Sequence, residues 1–489
     1  MELLSDVFLY VVESGLRNDD TCFVAGTFDF LQVCRHWNKV AVAFPRLWVW
    51  WIAKAGKAWD LFNARSGDAP LFLTWQGQFP DPTRDAFMDT KTPRRFRRLN
   101  FRSSRLELEY LLGALDSNSF SITSSIRVFT DSGKRGEHLT RFLSLPFPKL
   151  SELNITNFLP DPSSAIFTTS SLTSLTLNLR EDDERRYTRS QFSRILQQHP
   201  NLRELNLGEG AIPLVDQSEE PSSVVLPQLV DLRLDGSGTV IAGLMALVSM
   251  SPLHNVVIRF QHTYLSNVWD LSDTVKQILT AYYKCQGLEH PRKVDHLTVS
   301  SRHELVASAR SSPTLECPPT YSLELQFYDM RNALAKETIP LFPSEHTRVF
   351  ATTGLNLDVD DWRIVLLNMK GLLSLRLDRL DIGPVLDALC FDGESAYLDL
   401  PTPHLIIHTI TVEPYLPIAP RLQSLSFRNL DIISTRSQKL FNVLERRFNR
   451  HIGLKILAVQ LCRVPTGGYR EGLKGLVEGV AWAGVEEVA

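Results

Sequence analysis

The chain has 489 residues, with 52 Lys and Arg against 55 Asp and Glu, a net charge of -3, 44% hydrophobic and 22% charged residues. This near balance excludes a global field for nucleic acid or an anionic membrane, and the composition is that of a folded chain long enough for several domains or one elongated array. The longest apolar runs, Leu47–Ala53 and Val240–Val248, fall short of the roughly 20 residues of a spanning helix, and six cysteines without a CxxC pair fit free thiols in a cytoplasmic or nuclear compartment.

The first predicted element is a short helix over Glu2–Val12, with Leu3, Leu4, Val7, Phe8 and Val11 on one apolar stripe. A second follows at Leu31, Cys34, Trp37, Val40 and Ala41, spaced by three and four, with Arg35, His36, Asn38 and Lys39 elsewhere on the wheel. Pro45 sits just beyond the predicted helix end, where a residue without an amide donor is tolerated, and Leu47 and Trp48 follow as large apolar groups. Two such helices bury little surface alone and need a neighbouring domain or a partner.

The ordered string LQVCRHWNKVAVAFPRLW, Leu31 to Trp48, resembles the second half of an F-box, and ELLSDVFLYVV, Glu2 to Val12, resembles its first helix. The sequence starts Met1-Glu2-Leu3-Leu4, already inside the motif, so the Leu-Pro pair that usually opens it is either missing or lies ahead of a truncated start. The resemblance implies a module that docks on a Skp adaptor, and through it a cullin ligase, by Leu3, Leu4, Phe8, Val33, Val40, Pro45, Leu47 and Trp48. The alternative for the same residues is a helical cap on the domain that follows.

Residues 51–105 read as a linker and first cap, with Pro70, Pro80, Pro82 and Pro93 and the basic cluster Arg94, Arg95, Arg97 and Arg98. Without a basic excess in the whole chain, that cluster reads as a solvated face rather than a nucleic-acid patch.

From about residue 96 an apolar-x-x-apolar-x-apolar pattern recurs. Clear copies are Leu150/Leu153/Ile155, Leu172/Leu175/Leu177, Leu202/Leu205/Leu207 and Leu229/Leu232/Leu234. Weaker ones are Leu253/Val256/Ile258 and Val294/Leu297/Val299, and the pattern returns at Leu372/Leu375/Leu377, Leu422/Leu425/Phe427 and Leu454/Leu457/Val459. The last two positions have the period of a strand with one buried face, and helix-like stretches such as Gln191–Gln198 and Gln438–Phe448 lie between copies. This alternation resembles leucine-rich repeats of the helix-bearing kind. The expected fold is therefore α/β: a short F-box-like helical module over 1–50, then an irregular leucine-rich-repeat solenoid over 106–489. An ordinary α/β domain is the rival architecture.

An F-box-like segment ahead of such repeats resembles a fungal-type F-box protein. The resemblance implies a substrate receptor of a Skp–cullin–F-box ubiquitin ligase that does no chemistry itself. In a leucine-rich repeat the residues between the core positions line the concave face. Client contacts are therefore expected at Glu152, Asn154, Glu204, Asn206, Asp231, Arg233, Arg376 and Ser424, with Ser174, Thr176, Ser374 and Ser426 beside them. The set is polar with both signs of charge, which suits a protein client better than a phosphate backbone. The alternative function is a repeat scaffold with no ligase role.

Catalytic patterns fail on spacing. Gly236-Ser237-Gly238 lacks the third glycine of a dinucleotide loop at the required distance, and Ala307 replaces the second ligand of an HExxH begun at His303. Asp358, Asp360 and Asp361 read as the start of a helix near Trp362, with Asp360 as its N-cap, rather than as a cation site. No cofactor, metal or enzymatic activity is expected.

Overall fold

Alternation of apolar and polar residues sets the strands, and a strand with one apolar face must find a neighbour to cover it. In the computed structural model the described residues are 2–18, 30–52, 59–76, 93–112, 120–130, 137–169, 171–179, 186–213, 224–250, 255–260, 268–285, 296–301, 304–310, 322–328, 339, 342, 344–390, 418–433, 435–466 and 469–488. The chain divides into two compact units, residues 1–236 with 243–251, and residues 237–242 with 252–489. The division falls inside the stretch that the sequence reads as one repeat region.

In the first unit the strands are β1 (Trp50–Ile52), β2 (Leu71–Gln76), β3 (Phe96–Ser103), β4 (Ser125–Thr130), β5 (Glu152–Thr156), β6 (Ser174–Asn178), β7 (Glu204–Leu207), β8 (Val224–Leu226), β9 (Asp231–Gly236) and β10 (Val248–Met250). From β1 to β7 each strand pairs in parallel with the next in the chain, and β7 pairs in parallel with β9. β8 and β10 form a separate parallel pair. The segment read as linker and first cap thus holds β2 and β3, which are members of the ladder. The expected leucines point inward: Leu153, Ile155, Leu175, Leu177, Leu205, Leu207, Leu232 and Leu234 are all buried, and β2 to β4 add Leu73, Trp75, Leu99, Phe101, Ile126 and Val128. Helices in the connections, such as Glu137–Leu143 and Arg189–Gln197, bury Leu139, Phe142, Phe192, Ile195 and Leu196.

One hydrogen-bond device repeats. The carbonyl of the residue just ahead of a strand accepts the N–H groups of two consecutive residues at the start of the next strand. Ser124 O receives Ser151 N and Glu152 N, Ser151 O receives Thr173 N and Ser174 N, Thr173 O receives Arg203 N and Glu204 N, and Arg203 O receives Val230 N and Asp231 N. Hydroxyls reinforce it: Ser151 Oγ donates to Ser124 O at 2.9 Å and Thr173 Oγ1 to Ser151 O at 3.0 Å.

The second unit contains β11 (Asn255–Phe260), β12 (His296–Ser301), β13 (Glu304–Arg310), β14 (Ser322–Tyr328), β15 (Val349–Thr353), β16 (Ser374–Asp378), β17 (Ser424–Arg428), β18 (Ile456–Gln460), β19 (Arg463–Pro465), β20 (Gly479–Ala483) and β21 (Glu486–Val488). β15, β16, β17, β18 and β20 are paired in parallel in that order, and the same fork recurs at Arg348 O, Leu373 O and Gln423 O. The residue directly after β15, β16, β17, β18 and β20 is left-handed in each case: Gly354, Arg379, Asn429, Leu461 and Gly484. The first four donate their N–H to the last carbonyl of the next strand. Between β12 and β14 the pairing turns antiparallel. β12 pairs antiparallel with β13, because only Arg302 and His303 separate them in the chain and a parallel crossover needs a dozen residues or more, and β13 in turn pairs antiparallel with β14.

Two buried ionisable groups mark the connections. Arg447, on the helix Thr435–Asn449, donates to the carbonyls of Ile418, Ala419 and Leu422, and burial pushes its pKa down to about 10. His199, just after the helix Arg189–Gln197, is fully buried. Burial pushes its pKa down to about 4, against a smaller opposing pull from the Thr169 backbone. In the unfolded chain this imidazole takes up its proton near pH 6.5. Between those values the unfolded state binds more protons, so stability is full above about pH 6.5 and falls as the pH drops toward about 4. The fall from this one group is on the order of 3 kcal/mol. The urea midpoint should therefore drop from pH 7.5 to pH 5 by more in the wild type than in His199→Leu. Equal drops would show that His199 does not titrate as described.

Candidate protein-docking surfaces

The N-terminal module is built from α1 (Glu2–Asn18), α2 (Phe30–Val33), α3 (Arg35–Val42) and a 3-10 turn at Pro45–Trp48. Cys34 caps α3, its Sγ accepting from Trp37 N at 3.4 Å, and Asn38 Nδ2 donates back to Leu31 O at 3.2 Å, tying α3 to α2. Pro45 opens the 3-10 turn, where its missing N–H costs nothing. The turn drives Leu47 and Trp48 inward. The Trp48 indole N–H donates to Ala41 O at 2.9 Å, its ring meets Phe62 edge-on at 5.3 Å, and the Arg65 guanidinium lies 4.3 Å from its centre. Phe8 joins α1 to α3 through an edge contact with Trp37 at 5.3 Å.

These contacts sort the expected adaptor residues. Leu3, Val33 and Pro45 are exposed and Leu4 is half-buried. Phe8, Val40, Leu47 and Trp48 are buried at 5% exposure or less, which corrects their expected role: they form the module's own core and have no surface to offer a partner. α1 instead carries a second apolar row. Leu3 (81% exposed), Val7, Tyr10 (73%) and Val11 recur at steps of four, three and one, which place them on one exposed side of the helix. Periodicity alone groups Leu3, Val7 and Val11 with Phe8 in one stripe and does not mark Tyr10, because it reports that a face is apolar and not what covers it.

The second surface is the outer side of the first unit's sheet. Register places Glu152, Ser174, Glu204 and Asp231 in one row across β5, β6, β7 and β9, and Asn154, Thr176, Asn206 and Arg233 in the next. The expected client residues of this unit are thus brought together. Some are already engaged: Glu152 holds Arg127 through Oε1 at 2.6 Å and accepts Ser125 Oγ at 2.9 Å on Oε2, and Glu204 accepts Ser174 Oγ at 2.9 Å. In the second unit Ser374 faces Ser424 and Arg376 faces Ser426 on adjacent strands.

The rows continue into β1 to β4, which lie ahead of the clear copies of the repeat. Across β1, β2, β3 and β4 the first row runs Trp50, Phe72, Arg98, Ser125. Trp50 and Phe72 rings lie 4.5 Å apart, Arg98 sits 5.3 Å from the Phe72 ring centre, and Arg102 sits 5.3 Å from that of its cross-strand neighbour Phe129. The signal was present, since Phe96-x-x-Leu99-x-Phe101 has the repeat spacing and turns Arg98, Asn100 and Arg102 outward.

Among the described residues no group of three or more His, Cys, Asp or Glu could hold a metal, and no helix is long and apolar enough to cross a membrane. Asp358, not Asp360, caps the helix Val359–Leu367: its Oδ1 accepts from Asp361 N at 2.8 Å, while Asp360 pairs with Arg363 at 2.7 Å. His303 lies outside the described residues. No protein-family model matches the chain, and no curated protein matches it.

The two apolar sets of the module separate by mutation. Trp48→Ala should lower thermal stability by about 3–5 kcal/mol, the cost of emptying a packed aromatic site. Leu3→Gln with Tyr10→Gln should change it by about 0.5 kcal/mol or less. Thermal unfolding checks both, and a comparable loss in the second variant would mean that the α1 row is packed rather than exposed.

Proposed function

We propose that this chain is a fungal-type F-box substrate receptor of a Skp–cullin–F-box ubiquitin ligase, with leucine-rich-repeat-like units carrying the client. The observation that carries the reading is the exposed row Leu3, Val7, Tyr10 and Val11 on a helix packed against the VCRxW-type segment. A row of large apolar groups kept in water is a mark of a covered face, and the Skp adaptor is the cover that the motif implies. Val33 and Pro45, also exposed, extend the candidate contacts beyond α1. The repeated carbonyl fork and inward leucines support reading the parallel strands as leucine-rich-repeat units, whose outer rows are the client side.

On this reading the protein supplies proximity rather than chemistry. Holding adaptor and client on one chain raises the effective concentration of the client near the ligase's transfer centre. Its place is the cytoplasm or nucleus, and it needs no cofactor.

Co-expression of the full chain with a Skp adaptor tests this. The wild-type chain should retain the adaptor through purification, and Leu3→Asp with Tyr10→Asp should weaken retention by about tenfold or more, as expected for charges placed in an apolar contact. A wild-type chain that retains no adaptor would leave the scaffold reading in its place. Equal retention by both would remove this face from the contact.

A further inference from the structure

The outer sheet face of the first unit is not uniform. Its β5–β9 part carries Glu152, Glu204 and Asp231 against the single Arg233, whereas β3 and β4 carry Arg98, Arg102 and Arg127. A bulge makes the basic part denser: Leu71 pairs with Phe96 and Phe72 with Arg98, so the extra residue Arg97 is exposed beside Arg98. Arg127 is held by Glu152. Arg98 and Arg102 meet no carboxylate among the described residues, and each guanidinium instead lies over a ring, Phe72 or Phe129. A guanidinium over a ring is held in orientation while its N–H edges remain free to donate.

We infer that this basic, aromatic-backed patch is the part of the client surface that takes an extended acidic peptide, with carboxylates four residues apart meeting Arg98 and Arg102. The inference rests on the reading of the outer sheet face as the client side. Spacing carries the choice of ligand. Arg98 and Arg102 lie on one side of β3, about 13 Å apart along the strand, the distance between side chains i and i+4 of an extended chain. That is too wide for one compact anion to bridge and matches two separate carboxylates, which guanidinium forks receive well. Charge favours β2 to β4 for an acidic segment, since Arg98 and Arg102 meet no carboxylate there among the described residues, whereas Glu204 and Asp231 outnumber Arg233 across β7 and β9. A nucleic-acid strand, charged along its whole length, would run onto that acidic part.

The test uses the full chain and fluorescent peptides of about twelve residues in extended-favouring sequence, with Glu at every fourth position or Gln in the same places, read by anisotropy at about 0.15 M salt, where exposed charges are screened beyond roughly 8 Å. The Glu peptide should bind about tenfold more tightly than the Gln peptide, a factor worth roughly 1.4 kcal/mol. Arg98→Gln with Arg102→Gln should erase that difference. Arg98→Lys with Arg102→Lys, which keeps charge but not the planar stack, should retain part of it and shows that the site survives substitution. Equal binding of the two peptides, a preference that persists in the Gln variant, or tighter binding of an oligothymidine strand that displaces the Glu peptide would each overturn the inference. Adaptor retention is measured on the same proteins. Peptide discrimination without adaptor retention removes the ligase reading alone, and adaptor retention without discrimination removes this inference alone.

Discussion

A carbonyl just ahead of a strand that accepts two N–H groups from the start of the next strand recurs from β4 to β7 and from β15 to β17, and it is the constraint on which those two runs turn. It fixes where the next strand begins, so Leu153 aligns with Leu175 and Leu205 with Leu232, and no one-residue slip can exchange the inner and outer faces. With register set, the apolar positions form a continuous buried layer and the intervening residues form continuous rows. The left-handed residues that follow β15 to β18 close the other end of the strands in the second unit, each adding a bond to the neighbouring strand. β5, β6, β7, β9, β16, β17 and β18 are thus pinned at their starts by their predecessors, and β15 to β18 at their ends by their successors. That is why the leucines work as a stack and not singly: a lone strand of this kind would expose its apolar side and leave one edge unpaired.

The N-terminal module solves a different problem. Its helices are too short to hold each other, and Trp48 does the joining, with its ring between Phe62 and Arg65 and its indole N–H on Ala41 O. Because α4 (Trp59–Ser66) supplies Phe62 and Arg65, the module is anchored on the chain that leads into the ladder. The inward face of α1 is satisfied by Phe8 against Trp37, while Leu3, Val7 and Tyr10 stay exposed on the other side of the helix. The module thus has two apolar sets, one that keeps its shape and one that faces solvent.

Much of the ladder was legible because leucine at the core positions is a strong signal; β5, β6, β7, β9, β16, β17 and β18 lie where the pattern places them. What stayed hidden had physical reasons. Threonine occupies core positions at Thr123, Thr347 and Thr352, all buried, and Thr123 satisfies its hydroxyl on Phe96 O at 2.7 Å, so β4 and β15 carry a weaker apolar signature. Prolines and arginines around Pro93 and Arg98 made β3 look like linker, although both arginines of its outer side lie over aromatic rings. The left-handed positions Arg379 and Leu461 have no sequence signal, since tertiary bonding rather than residue type holds them there. At the module, the helical period located the apolar residues but could not say which of Phe8, Val40, Leu47 and Trp48 the chain itself would consume.

On the proposed reading the chain carries two separate surfaces, an adaptor face on α1 and a client face on the sheet. Hydrogen–deuterium exchange of the full chain with and without saturating Skp adaptor addresses it directly. The account predicts slower exchange of the α1 amides around residues 3–11 on adaptor binding, with β3 to β9 unchanged. Slowing in the strands with α1 unaffected, or no slowing anywhere in the presence of adaptor, would contradict it.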